Sequence, residues 1–113
     1  MRYRIFVRAR RMRWALSQKD LAGLLNRSPT RLSRYENGED SPDLETALGL
    51  QVVFGDSPRA LFPALYTAIE EQVMSRAAKL DKQLSGKIGH AADTQRRLLK
   101  GMTHRARGAS DAP

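Results

Sequence analysis

Cysteine is absent from this 113-residue chain, and histidine occurs only at positions 90 and 104. Disulfide scaffolds, cysteine redox centres and Cys/His zinc sites are therefore excluded, and no metal or cofactor is expected. Aromatic residues make up 6% of the sequence, and no uncharged run exceeds ten residues, the two longest being 46–55 and 60–69. A membrane-spanning helix needs about twenty consecutive apolar residues, so a soluble chain is expected. Acid is missing from the first sixteen residues, which hold six arginines, and no apolar stretch of signal-peptide length follows them. The pattern lends no support to export, and a reducing cytoplasm is the expected location.

What is present is positive charge, unevenly spread. The chain holds 20 Lys+Arg against 12 Asp+Glu, a net charge of +8. Residues 17–66 carry five bases and seven acids, whereas residues 67–113 carry nine bases and five acids. The basic excess is thus terminal. Clustered Lys and Arg suit an anionic polymer such as nucleic acid, although many basic segments are only solvated faces. Arg2, Arg4, Arg8, Arg10 and Arg13 are candidates for phosphate contact on this ground.

Helix punctuation is legible. Ser28-Pro29, Ser41-Pro42 and Ser57-Pro58 each pair an N-cap residue with a proline suited to the first helical position, and Ser17-Gln-Lys-Asp20 has the spacing of a capping box. Apolar residues recur at helical rather than alternating spacing, as Ile5/Ala9/Met12/Leu16, Leu21/Leu24/Leu25 and Leu44/Ala47/Leu48/Val52. Asn26-Arg27, Asn37-Gly38 and Gly55 supply residues that end helices. These signals predict an all-α chain with helices near 4–15, 18–25, 29–36, 42–54 and 58–62. Pro63 opens a further helix with the stripe Leu65, Ile69, Val73, Ala77, Leu80 and Leu84, expected to pack its first turns on the core and its later ones on a second copy. Gly86-Lys-Ile-Gly89 breaks the pattern as a hinge, a short helix is expected over 94–100, and 105–113 reads as a disordered basic tail. The expected divisions are 1–62, 63–85 and 86–113.

The second and third expected helices are short and separated by about three residues, the shape of a helix-turn-helix unit. On the third, Leu32, Tyr35 and Glu36 point one way, while Thr30, Ser33, Arg34 and Asn37 point the other. Short hydroxyls with one Arg and one Asn present little bulk and several hydrogen-bonding groups, which suits a groove floor. Trp14 and Tyr35 are expected as core or rim aromatics. The loop Gly86-Lys-Ile-Gly89 has the GxxG spelling of an RNA-binding loop but lacks the flanking strands that module needs. Glu70, Glu71 and Asp81 have no acid or histidine partner at helical spacing, so no enzyme is expected.

The stretch Leu16-Ser-Gln-Lys-Asp-Leu-Ala-Gly-Leu-Leu-Asn-Arg-Ser-Pro-Thr-Arg-Leu-Ser-Arg-Tyr-Glu-Asn-Gly38, followed by Ser41-Pro-Asp-Leu-Glu-Thr46, resembles the Cro/C1-type (XRE) helix-turn-helix family of DNA-binding regulators. The resemblance covers roughly residues 4–62 and implies a compact five-helix domain in which the third helix reads double-stranded DNA. By that resemblance Gln18 and Asn37 meet phosphates, Pro29, Thr30 and Arg34 face base edges with Ser33 beside them, and Arg31 is the neighbouring alternative reader. Arg11 and Glu36 match a family ion pair between the first and third helices. The chain departs from the pattern at Arg10 and Arg27, where apolar residues are usual, and at Glu39 and Asp40, where bases are common. Acid there would repel phosphate, so the N-terminal helix, with Arg8 and Arg10, and the C-terminal arm are expected to restore affinity. The resemblance implies a dimeric, sequence-specific transcriptional regulator, expected to be a repressor, on a short inverted repeat. The competing expectation is an antitoxin whose residues 67–113 neutralise a toxin partner, with DNA binding kept for autoregulation.

Overall fold

A computed structural model describes residues 5–111, with side chains through 108; Arg2, Arg4, Ala112 and Pro113 lie outside the described residues. Seven helices and no strand occur among the described residues: α1 Val7–Arg13, α2 Gln18–Leu25, α3 Pro29–Glu36, α4 Leu44–Phe54, α5 Pro58–Leu61, α6 Pro63–Leu84 and α7 His90–Asp111. They form two compact units, residues 1–66 and 67–113.

In the first unit three serines start helices as their spacing predicts. Ser17 Oγ accepts from the Asp20 N–H at 3.0 Å while Asp20 Oδ2 accepts from the Ser17 N–H at 3.0 Å, a reciprocal capping box. Ser28 and Ser57 accept from the N–H groups of Arg31 and Ala60, each at 3.1 Å, with proline at the first helical position. The fourth start differs from the sequence expectation. Helix α4 begins at Leu44, and its cap is the Asp43 carboxylate, which accepts from the Thr46 N–H at 2.8 Å. A carboxylate is favoured over a hydroxyl at a helix N-terminus, and this one is also anchored by Arg27 Nη2 at 3.1 Å.

The first unit closes on Val7, Leu21, Ala22, Leu32, Leu50, Leu61 and Phe62, all buried. Three expected faces are corrected, those of α1 and α4 and, at Leu24, that of α2. Helix α1 is shorter than 4–15 and buries Val7, leaving Met12 exposed. Its phase is set by the Phe6 N–H, which donates to the Leu61 carbonyl at 2.9 Å, and its end by Ala15, which turns through a left-handed φ of 55°. On α4 the inward residues are Thr46 and Leu50, whereas Leu44, Leu48 and Val52 are exposed. This helix is apolar around most of its circumference, so periodicity alone does not choose its inner face. The tertiary contacts choose it: Arg27 Nε donates to Thr46 Oγ1 at 3.0 Å, and Gly49 admits α2 so closely that a Cβ there would stand 2.9 Å from Leu25 Cδ2. Leu24 of the expected α2 face is likewise exposed, and so is Trp14, whereas Tyr35 is buried.

In the second unit α7 returns along α6, with Leu84, Ala92 and Leu99 buried and Ala77 and Met102 packed against them. The expected short helix over 94–100 and disordered tail from 105 are replaced by one helix reaching Asp111. Ala92, Leu99 and Met102 share a face that is covered only because α6 lies against it. The turn through Gly86 (φ 80°) and Gly89 (φ 127°) is tied by Arg96 Nη2, which donates to the carbonyls of Leu84, at 2.6 Å, and Lys87. Ile69, Val73 and Leu80 remain exposed on α6, as does Leu98 on α7.

Candidate nucleic-acid interface

Three residues, Asn26 to Ser28, join α2 to α3. Asn26 adopts a left-handed φ of 53°, and the Arg27 N–H donates to the Ala22 carbonyl at 2.9 Å, closing α2 as the chain turns. Leu32 and Tyr35 then bury one side of α3, which obliges the opposite side to face outward. An open concavity there is lined by Gln18, Pro29, Thr30, Ser33, Arg34 and Asn37, together with Glu39. Six of the residues expected at DNA are thus brought onto one surface. Asn37 Nδ2 donates to Ser33 Oγ at 3.5 Å within it.

Arg31, Arg10 and Arg8 lie elsewhere, and so does Arg13, which is exposed at the end of α1. Arg31 turns back toward α3's buried side, donating from Nε to Tyr35 Oη at 2.8 Å with its guanidinium 6.0 Å from the ring centroid. Arg10 pairs with Asp56 at 2.9 Å and lies over Phe6. A charged residue is accommodated at this position because its guanidinium both lies over the Phe6 ring, 5.8 Å from the centroid, and meets an acid. Arg8 is exposed on α1 and does not line the concavity.

Behind α3, Glu36 is held by three donors. Arg11 donates from Nε at 2.7 Å and from Nη2 at 3.0 Å, and Gln18 donates from Nε2 at 3.1 Å. Arg11 Nη1 donates in turn to the Leu16 carbonyl at 3.0 Å. The Glu36 side chain is only 1% exposed, so this ion pair is well shielded from water. Hydrogen bonding to Glu36 raises the Arg11 pKa above its ordinary value. The same carboxylate orients Gln18, whose amide nitrogen keeps a second N–H beyond the bond it gives to Glu36.

Sequence reasoning missed the pair formed by Arg34 and Asp40. Arg34 Nε donates to Asp40 Oδ2 at 2.6 Å and Nη2 to Oδ1 at 3.4 Å. This interaction holds the Asp40 carboxyl below its usual range and raises the Arg34 pKa. A signal existed in Asn37-Gly38, because a positive-φ glycine after a helix folds the chain back over the last turn. Gly38 takes φ 74°, and the N–H groups of Glu39 and Asp40 return to the Arg34 carbonyl at 2.9 and 3.4 Å. The acidic loop is therefore not simply a source of repulsion, since Asp40 is matched to a cation. Arg27, the other departure, is committed to Thr46 and Asp43. Among the described residues no group of three or more His, Asp or Glu could hold a metal ion, and no helix is long and apolar enough to cross a membrane.

Comparison with curated proteins and with solved structures found no match to either. Residues 2–64, more than half of the chain, match the family described as Helix-turn-helix domain. With α2 and α3 in the required order, a short turn between them and an outward polar face on α3, the chain belongs to this helix-turn-helix family, consistent with a DNA-binding regulator of the Cro/C1 type.

Proposed function

We propose that this chain is a sequence-specific transcriptional repressor that acts in the cytoplasm as a homodimer on a short inverted repeat. The observation that carries the reading is the shared concavity in which Thr30, Ser33 and Arg34 are flanked by Gln18 and Asn37. The first three residues suit base edges, and the flanking amides suit phosphates. A helix-turn-helix domain alone meets few base pairs, and two copies set about one helical turn, roughly 34 Å, apart supply the missing selectivity. Exposed Ile69, Val73, Leu80 and Leu98 give the second unit an apolar surface for a second copy to cover. The same surface supports a second reading, in which a toxin-like protein is bound there and DNA binding serves autoregulation.

Selection from randomised duplexes tests the proposal. An inverted repeat should emerge, and with about six to ten phosphates met by the pair of domains, log K against log salt should fall with a slope of about −5 to −9. Equal binding to every duplex at moderate salt overturns sequence specificity. A chain ending at Tyr66 should sediment as a monomer and bind the selected site more weakly; a dimeric fragment would move the interface into the first unit.

A further inference from the structure

We propose that Asp40 is a positioning residue for base recognition, holding the Arg34 guanidinium by one edge so that its free end meets a single guanine. The inference rests on reading α3 as the DNA-contacting helix, and it assigns a role to the acidic loop that such a reading leaves without one.

The geometry defines which donors remain. A guanidinium has five N–H groups in one plane. Asp40 takes the edge formed by Nε and Nη2, at 2.6 and 3.4 Å. The two N–H groups of Nη1 and the second N–H of Nη2 stay unused by that pair. Their shared edge is a two-pronged fork, matched to the O6 and N7 acceptors of guanine. The pairing thus occupies the side of Arg34 and leaves its tip.

The loop holds Asp40 to the residue it positions. Gly38 turns the backbone at φ 74°, and the Asp40 N–H reaches the Arg34 carbonyl at 3.4 Å, with Glu39 doing so at 2.9 Å. Backbone and side chain of Asp40 are both referred to Arg34, so the carboxylate moves with the helix end. Arg34 and Asp40 are 51% and 43% exposed, and an exposed pair adds little to the stability of the free protein. Its value would appear at the groove floor, where water is displaced and a long flexible side chain must otherwise be ordered afresh.

Charge adds a second consequence. A guanidinium matched to a carboxylate attracts phosphates less than a free one does, whereas guanine O6 and N7 are neutral acceptors and still accept from its tip. Asp40 should therefore lower attachment to arbitrary DNA while sharpening discrimination at one base pair.

The test measures full-length protein on the selected operator, on a panel of its single-base variants, and on unrelated duplex DNA. Arg34→Ala comes first and should abolish guanine preference at one position of each half-site. Asp40→Ala should reduce that preference about tenfold, leave or strengthen binding to unrelated DNA, and steepen the salt slope by about one per half-site as Arg34 becomes a phosphate cation. Asp40→Asn should give a smaller loss, because one amide oxygen still accepts from Arg34. Melting curves are expected to be unchanged for both Asp40 variants, and Asp40→Asn carries the test should Asp40→Ala fold poorly. Retained preference with tighter binding to all DNA would make Asp40 a competitor of the operator and overturn the proposal. So would two Asp40 variants indistinguishable from the parent. If Arg34→Ala leaves the preference intact, the assignment of Arg34 as a base reader fails as well; if only the Asp40 variants leave it intact, that assignment stands and the positioning role alone falls.

Discussion

Among the described residues, the core cluster of the first unit holds seven buried residues drawn from five short helices and the residue after the last of them, while that of the second holds three between two long ones. Short helices can surround a point and cover it from every side. Two helices side by side share one seam and leave their remaining faces to water, as Ile69, Val73 and Leu98 show. The polar groups follow the same division. Glu36 is shielded and triply bonded in the first unit, whereas an ion pair of the second, Arg96 with Asp93, joins side chains 36% and 70% exposed. Both units leave apolar side chains exposed, the first at Leu44 and Val52 and the second at Ile69 and Leu98, so what separates them is the size of the core beneath.

Breaking each core in turn should make that difference measurable. Leu50 is fully buried, and Leu50→Ala should cost about 3–5 kcal/mol, enough to unfold much of the first unit. Leu99→Ala, in the smaller core, should cost no more than about 2 kcal/mol, because a two-helix seam relaxes into the space more readily. Hydrogen exchange followed by mass spectrometry reads the two units separately, and equal protection losses would contradict the comparison.

The buried network of the first unit comes next in size. Glu36→Ala strands Arg11 and releases Gln18, an expected loss of about 2–4 kcal/mol. Denaturant melts measure it, and an unchanged midpoint would mean that the pair adds nothing despite its burial.

Acid supplies the smallest effect. Hydrogen bonds from the Thr46 side chain and backbone N–H, aided by Arg27, hold the Asp43 pKa down to about 2. A depressed carboxyl stabilises the fold fully above its unfolded value, about 4, and progressively less as pH falls through the native value. The first unit should therefore lose this contribution between about pH 4 and pH 2. Asp43→Asn should flatten that part of the acid-unfolding curve, while a curve of unchanged shape would locate the acid sensitivity at other carboxyls.

Local chemistry made much of the first unit legible. Ser17, Ser28 and Ser57 act on N–H groups three residues away, so their spacing alone places α2, α3 and α5. The outward position of Thr30, Ser33, Arg34 and Asn37 follows from burying Leu32 and Tyr35 on a regular helix. Legibility ended where the partner is distant or the pattern is degenerate. Arg10 meets Asp56 forty-six residues away, a contact no local spacing encodes. The start and inner face of α4 depend on Arg27 reaching Asp43 and Thr46.

What the sequence determined by itself, then, is the all-helical class, the helix-turn-helix punctuation and the polar face of α3, because each arises within one or two turns of chain. What only tertiary structure decided is the length of α7, which depends on α6 to cover Ala92, Leu99 and Met102, and the orientation of the side chains around the concavity. Asp40 reaches Arg34 only after Gly38 has turned the chain, and Glu36 reaches Arg11 and Gln18 only after three helices have packed. Composition supplies such charges, but their energy depends on distance and burial, and the folded backbone sets both.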